Sequence, residues 1–179
     1  MKRIEAINSF KQWDRRSKFV YTKHDLAKLF PDESPKTLSE SLNRLVKDGL
    51  LRRACRGIYV NEHAASFDAN IIEHIAKALR RGHYNYISLE SMLSEHGVIS
   101  QIPIDRLTVM TTGRGGTYKT PYGVIEFTHT KRPISEIINH IKSIDQRPLR
   151  IVGKEIAWRD LKRVGRNIHL VDRSTLDDG

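Results

Sequence analysis

The chain has 179 residues, 39% of them apolar, 29% charged and 7% aromatic, which is enough for a core and for one large domain or two small ones. Its 31 lysines and arginines against 21 aspartates and glutamates give a formal charge of +10, an excess that points to a polyanionic partner, most often nucleic acid, and says nothing of fold. No stretch approaches about 18 consecutive apolar residues and Met1 to Trp13 has no apolar signal core, so a cytoplasmic chain without membrane attachment is expected.

In chain order, Ile4, Ile7, Phe10 and Trp13 predict a first helix covering one side of a small core. Thr22 followed by Asp25 signals a helix start, with Leu26, Leu29 and Phe30 as a short apolar stripe that stops at Pro31. The next helix begins with Ser34 as N-cap and Pro35 in the first turn, where its missing N–H costs nothing. Leu38, Leu42, Leu45 and Val46 mark its inward face, and Gly49 after Asp48 provides a left-handed stop. Leu50 to Val60 then reads as two short strands about a turn at Cys55 to Gly57, with Arg52, Arg53 and Arg56 at or near the tip. Two helices joined by a short turn and followed by a basic hairpin are the ingredients of a winged helix-turn-helix.

With the leucines inward, a turn of about 100° per residue points Lys36, Glu40, Asn43, Arg44 and Lys47 outward, flanked by Thr37 and Ser39. Such a face can enter a major groove of double-stranded DNA. Asn43 suits an adenine edge and Arg44 a guanine edge, while Ser34, Thr37 and the helix N-terminus suit a phosphate. Glu40 can accept from cytosine N4 or repel phosphates, and Arg52, Arg53 and Arg56 can hold the backbone or reach into a minor groove. The solvated side of an ordinary surface helix carries the same residue types; the order of cap, turn, capped helix, glycine stop and arginine hairpin favours the DNA reading.

A polar, small-residue stretch from Asn61 to Ser66 is expected to be a linker, giving a winged helix-turn-helix at 1–63 and a second domain at 68–172. The first 63 residues hold 14 basic and 8 acidic side chains, making them the denser positive body. In the second domain Ile71, Ile72, Ile75, Ala76 and Leu79 predict a helix, Tyr84 to Ile87 a strand, and Ser88 to His96 a helix closed by Gly97. Arg106 to Thr112 and Tyr122 to Thr130 read as two strands joined across Gly113-Arg114-Gly115-Gly116, a mobile hairpin turn rather than a phosphate loop, because a β-like segment follows it instead of a helix. Ile134, Ile137, Ile138 and Ile141 predict one helix, and Ile156, Ala157 and Leu161 another. The fold class expected is α+β, with the tail from Asp172 to Gly179 fraying.

Catalytic chemistry finds no support in these strings. The eight histidines lack metal-ligand spacing, so neither metal nor cofactor is expected. Cys55, the only cysteine, excludes a disulfide framework and paired-cysteine zinc fingers. On a wing tip beside Arg56 its thiol pKa is expected to fall, without a general base to use it. No serine elbow, kinase set or paired-carboxylate signature occurs, so the chain is read as non-enzymatic.

Taken in order, Leu45-Val46-Lys47-Asp48-Gly49-Leu50-Leu51-Arg52-Arg53 leading to Arg56-Gly57-Ile58-Tyr59, then Tyr86-Ile87-Ser88-Leu89-Glu90-Ser91, Tyr122-Gly123-Val124-Ile125-Glu126-Phe127 and Leu149-Arg150-Ile151 followed by Glu155, Ala157 and Asp160-Leu161 resemble the AbiEi antitoxins of bacterial abortive-infection and toxin–antitoxin systems. The resemblance spans roughly Val20 to Val171; where the family often has Thr-Pro at the start of the last helix, this chain has Gly153-Lys154. It implies a phage-defence antitoxin that binds inverted repeats in its own operon promoter as a transcriptional repressor, with a C-terminal antitoxin domain that counteracts a nucleotidyltransferase-like toxin, directly or indirectly. A solitary winged-helix regulator and a protein-binding module that sequesters a toxin are the alternatives. Arg147, Arg150, Lys154, Arg159, Lys162, Arg163 and Arg166 form a second basic series that can touch DNA, serve antitoxicity or be an ordinary solvated face.

Overall fold

The computed structural model describes residues 1–100 and 105–176. Within them the chain is α+β and divides into two compact units, Met1–Leu79 and a second that begins at Arg80.

The first unit contains helices α1 (Arg3–Asp14), α2 (Lys23–Leu29), α3 (Pro35–Lys47) and α4 (Ile71–Leu79) and strands β1 (Val20–Thr22), β2 (Arg52–Cys55) and β3 (Ile58–Val60). Local chemistry sets its helix ends. Thr22 and Asp25 cap α2 reciprocally: the Asp25 N–H donates to Thr22 Oγ1 at 3.0 Å and the Thr22 N–H to Asp25 Oδ2 at 2.9 Å. Ser34 caps α3 ahead of Pro35, and Gly49, at φ +72°, ends it in the left-handed region, where the N–H groups of Leu50 and Leu51 reach back to the Leu45 carbonyl. The apolar stripe of α3 packs with Ala6, Phe10, Tyr21, Leu26, Phe30, Leu51 and Tyr59 into one core. The three strands form an antiparallel sheet in the order β1-β3-β2, with Tyr21 opposite Tyr59 and a bulge between Arg53 and Cys55.

Three expectations change here. The first helix buries Ala6 and Phe10, while Ile4 is 67% exposed. Phe10 and Trp13 of the expected face do meet the core and Ile7 is half-buried; in the first turn Ala6, one helical turn before Phe10, takes the place expected of Ile4. The stretch expected to be a linker is also fixed: Asp14 accepts from the N–H groups of Ala65 and Ser66 at 2.8 and 3.0 Å, and Phe19 packs on Phe67 and His74. The α4 stripe lies against β1, so this helix, expected in the second domain, belongs to the first unit. An amphipathic helix must bury its apolar stripe somewhere, and sequence periodicity does not say on which partner.

The second unit contains β4 (Asn85–Ile87), α5 (Leu89–Glu95), β5 (Arg106–Thr111), β6 (Gly116–Thr120), β7 (Gly123–His129), α6 (Ile134–His140), β8 (Arg150–Ile151) and α7 (Lys154–Val164). Its mixed sheet runs β6-β7-β5-β4-β8, with β5 parallel to β7 and β4 parallel to β8. The expected hairpin across Gly113–Gly116 is therefore corrected. The loop leads into β6, which was not anticipated; β6 pairs antiparallel with β7, and β7 lies beside β5 in parallel, an arrangement that a short turn cannot provide. The loop is also held rather than mobile, its Gly113 and Arg114 carbonyls accepting from His129 Nδ1 and Arg80 Nε, both at 2.7 Å. In α6 only Ile137 is buried, and Ile134 and Ile138 stand exposed. Residues Arg173–Leu176 of the expected frayed tail form a short 3-10 turn with Ser174 bonded to Asp172, and residues 177–179 lie outside those described.

Candidate nucleic-acid interface

Helix α3 begins with Ser34 Oγ accepting from the Thr37 N–H at 3.2 Å, and the two hydroxyls lie 2.8 Å apart on the surface. Leu38, Ser41, Leu42 and Leu45 turn inward. Lys36, Glu40, Asn43 and Lys47 stand exposed on the opposite side, and among the described residues none of their side chains makes a hydrogen bond or an ion pair. These four are the open polar face of the helix.

The flanks of that face are closed. Arg44 is exposed, but its guanidinium donates to the buried Ser41 hydroxyl at 2.9 Å, because residues three apart on a helix are neighbours. The expectation that Arg44 projects together with Asn43 is thus altered: it leans to the side bounded by Met1, Arg3 and Asp48. On the other flank the Ser39 hydroxyl donates to the Pro35 carbonyl and accepts from Lys23 Nζ, both at 2.7 Å.

Lys23 was missed in the sequence. Its backbone N–H donates to the Gly57 carbonyl at 2.8 Å while its ammonium reaches Ser39, so one residue ties the first turn of α2 to α3 and to the hairpin turn. Nothing within α2 signals this, since the partners lie far along the chain. Register explains the geometry: Thr22 pairs with Ile58, which puts the start of α2 at the turn end of the sheet. Arg16 and Lys18, stacked over Trp13 at 5.1 and 5.6 Å, precede Val20, whose partner Val60 marks the far end.

On the hairpin Arg52, Arg53 and Arg56 are all exposed. Arg52 pairs with Glu62 at 3.3 Å, whereas Arg53 and Arg56 have no carboxylate partner among the described residues. Cys55 is half-buried, and burial pushes its thiol pKa up against the opposing effect of the Arg53 charge. The expected lowering is overturned, because desolvation outweighs one exposed guanidinium.

The second basic series is dispersed. Arg147 grips Glu95 with two bonds of 2.9 and 2.6 Å, Arg159 pairs with Glu136 at 3.0 Å, and Arg166 holds Glu90 at 2.8 Å and also contacts Glu126. Lys154 donates to the Thr175 carbonyl, and Lys162 lies 5.2 Å above the Trp158 ring. Arg150 is exposed on β8, and Arg163 lines a cleft beside Asp160. Most of the seven therefore have an internal partner, and they do not make one open basic face. Among the described residues no three His, Cys, Asp or Glu side chains gather as a metal site, and no helix is long and apolar enough to cross a membrane.

No protein-family model and no curated protein matches the chain. Among solved structures it is similar to the crystal structure of the RV2827C protein from Mycobacterium tuberculosis, at 15% sequence identity and a TM-score of 0.56, over 88% of this chain and 60% of the other. The chain thus spans less than two thirds of that protein, and at this identity the likeness concerns fold alone.

Proposed function

We propose that the chain is a non-enzymatic antitoxin that also represses its own operon. In this reading α2 and α3 are a helix-turn-helix and β2–β3 its wing; α3 enters the major groove at inverted repeats, and the second unit counteracts a nucleotidyltransferase-like toxin encoded alongside. One observation supports the DNA half above the others: Lys36, Asn43 and Lys47 on α3, with Glu40 the one carboxylate on that face, and Arg53 and Arg56 on the hairpin are exposed side chains without internal partners, and Lys23 ties the two elements together. Uncompensated cations are what phosphates recruit through counterion release. The antitoxin half is supported by the ordered strings that resemble AbiEi proteins, from Leu45 to Leu161.

A gel shift with the chain's own upstream DNA tests the first half. Binding to that DNA is expected to be tighter than to random duplex at moderate salt, and equal binding overturns it. Co-expression with the neighbouring gene tests the second, and the absence of a nucleotidyltransferase-like neighbour returns the chain to a solitary regulator. A second reading makes the second unit a protein-binding module that sequesters the toxin while DNA binding is autoregulatory; exposed Ile134 and Ile138, one turn apart on α6, favour it. Co-purification of the full-length chain with the neighbouring gene's product separates the two, since sequestration requires a stable complex and indirect counteraction does not.

A further inference from the structure

A cleft of about 240 Å³ lies in the second unit, where the parallel strands β5 and β7 reach their carboxyl ends beside α7. It is lined by Met110, Thr128, His129, Thr130, Lys131, Asp160, Arg163 and Val164. Ligands of open α/β sheets gather outside the carboxyl ends of such strands, and the groups collected here share one chemistry.

Lys131 and Arg163 are exposed cations with no carboxylate partner among the described residues, in contrast to the paired arginines around them. Thr130 is only 6% exposed. Its Oγ1 accepts from the Arg132 N–H at 3.2 Å, and no described group accepts the hydroxyl proton. A buried donor without an acceptor is costly unless a ligand or water supplies one. The one carboxylate in the cleft, Asp160, is fully engaged: Tyr86 and Ser88 donate to Oδ2 at 3.3 and 2.8 Å, and Arg132 to Oδ1 at 3.2 Å. Arg132 in turn is paired with both Asp160 and Glu136, at 3.2 and 2.8 Å, so these carboxylates are already met by a cation. His129 gives its Nδ1 proton to the Gly113 carbonyl, fixing the ring at the rim.

From this the geometry points to a binding site for a small tetrahedral oxyanion of the phosphate class, held by Lys131, Arg163 and the Thr130 hydroxyl. Sites for drug-sized ligands run to about 300–1,000 Å³, so a phosphoryl group fits within this cleft and a larger ligand extends out of it. That group is either free phosphate or the terminal phosphate of a nucleotide. The site belongs to the second unit and does not depend on the DNA-binding reading.

The test is an amide NMR titration of the full chain with inorganic phosphate, ionic strength held constant with chloride. Saturable shifts are expected at residues 128–131 and 163. Thr130→Val should weaken binding about tenfold, as loss of a hydrogen bond to a charged group does, and Thr130→Ser should restore it. Lys131→Gln with Arg163→Gln, on exposed positions that do not threaten folding, should remove the response, while Arg150→Gln should leave it. A nucleoside monophosphate effective at a tenth of the phosphate concentration identifies a nucleotide as the source, and equal potency identifies free phosphate. Unsaturable or scattered shifts with both probes, or shifts that survive the Lys131 and Arg163 changes, overturn the site.

Discussion

Met1–Leu79 holds 15 basic and 10 acidic residues and the rest of the chain 16 and 11, so each unit carries +5, yet the two dispose of that charge differently. In the first, the cations of α3 and the hairpin turn stand open to solvent, with Arg52 and Arg44 as the tethered exceptions. In the second, Arg106, Arg132, Arg147, Arg159 and Arg166 are each paired with a carboxylate. The difference in net charge expected from a boundary after His63 vanishes once α4 is assigned to the first unit, and the difference in charge density shrinks. Net charge is therefore a poor guide to where a polyanion binds. Cations without internal partners are a better one, because only they have counterions to release.

The comparison breaks most visibly if the pairs of the second unit prove dispensable. Asp160 is completely buried and meets Arg132, Tyr86 and Ser88, so Asp160→Ala leaves two hydroxyls without their acceptor and the Arg132 guanidinium with Glu136 alone. A loss of about 3–5 kcal/mol in urea unfolding is expected. Next comes Glu90. Burial opposes its ionisation, but bonds from Arg166 and Asn167 outweigh burial and hold its carboxyl below the ordinary glutamate range. The folded carboxylate is thus the more acidic one, and its contribution is present above the unfolded pKa and lost as pH falls through the folded value. Glu90→Gln is expected to cost about 2 kcal/mol at neutral pH and to flatten the acid limb of a stability profile as pH falls through and below the ordinary glutamate range.

On the first unit the expected losses are of affinity, not stability. Asn43→Ala should weaken operator binding by about 1–3 kcal/mol and relax a single base position, read by competition with substituted operators. Arg53→Ala should weaken all sequences alike and lower the slope of log affinity against log salt by about 1, whereas Arg52→Ala, already paired with Glu62, should lower it less. The smallest effect belongs to Arg147→Ala in the second unit: its pair with the exposed Glu95 is at the surface, so less than about 1 kcal/mol of stability and no DNA affinity should be lost.

What the sequence determined by itself is local. The Thr22–Asp25 cap, the Ser34 cap before Pro35, the Gly49 stop and the inward leucines of α3 all follow from interactions within about one helical turn, and the arginine hairpin from strand propensity and a glycine turn. Tertiary structure alone decided that Lys23 joins α3 to the hairpin, that β6 and β8 exist at the sheet edges, and that α4 packs with β1. It also decided which cations stay open. Arg147 finds Glu95 and Arg166 finds Glu90 across 52 and 76 residues of chain, and no periodicity reports a partner at that separation. A charge is visible in the sequence, but whether it is neutralised depends on what folding brings within about 4 Å of it.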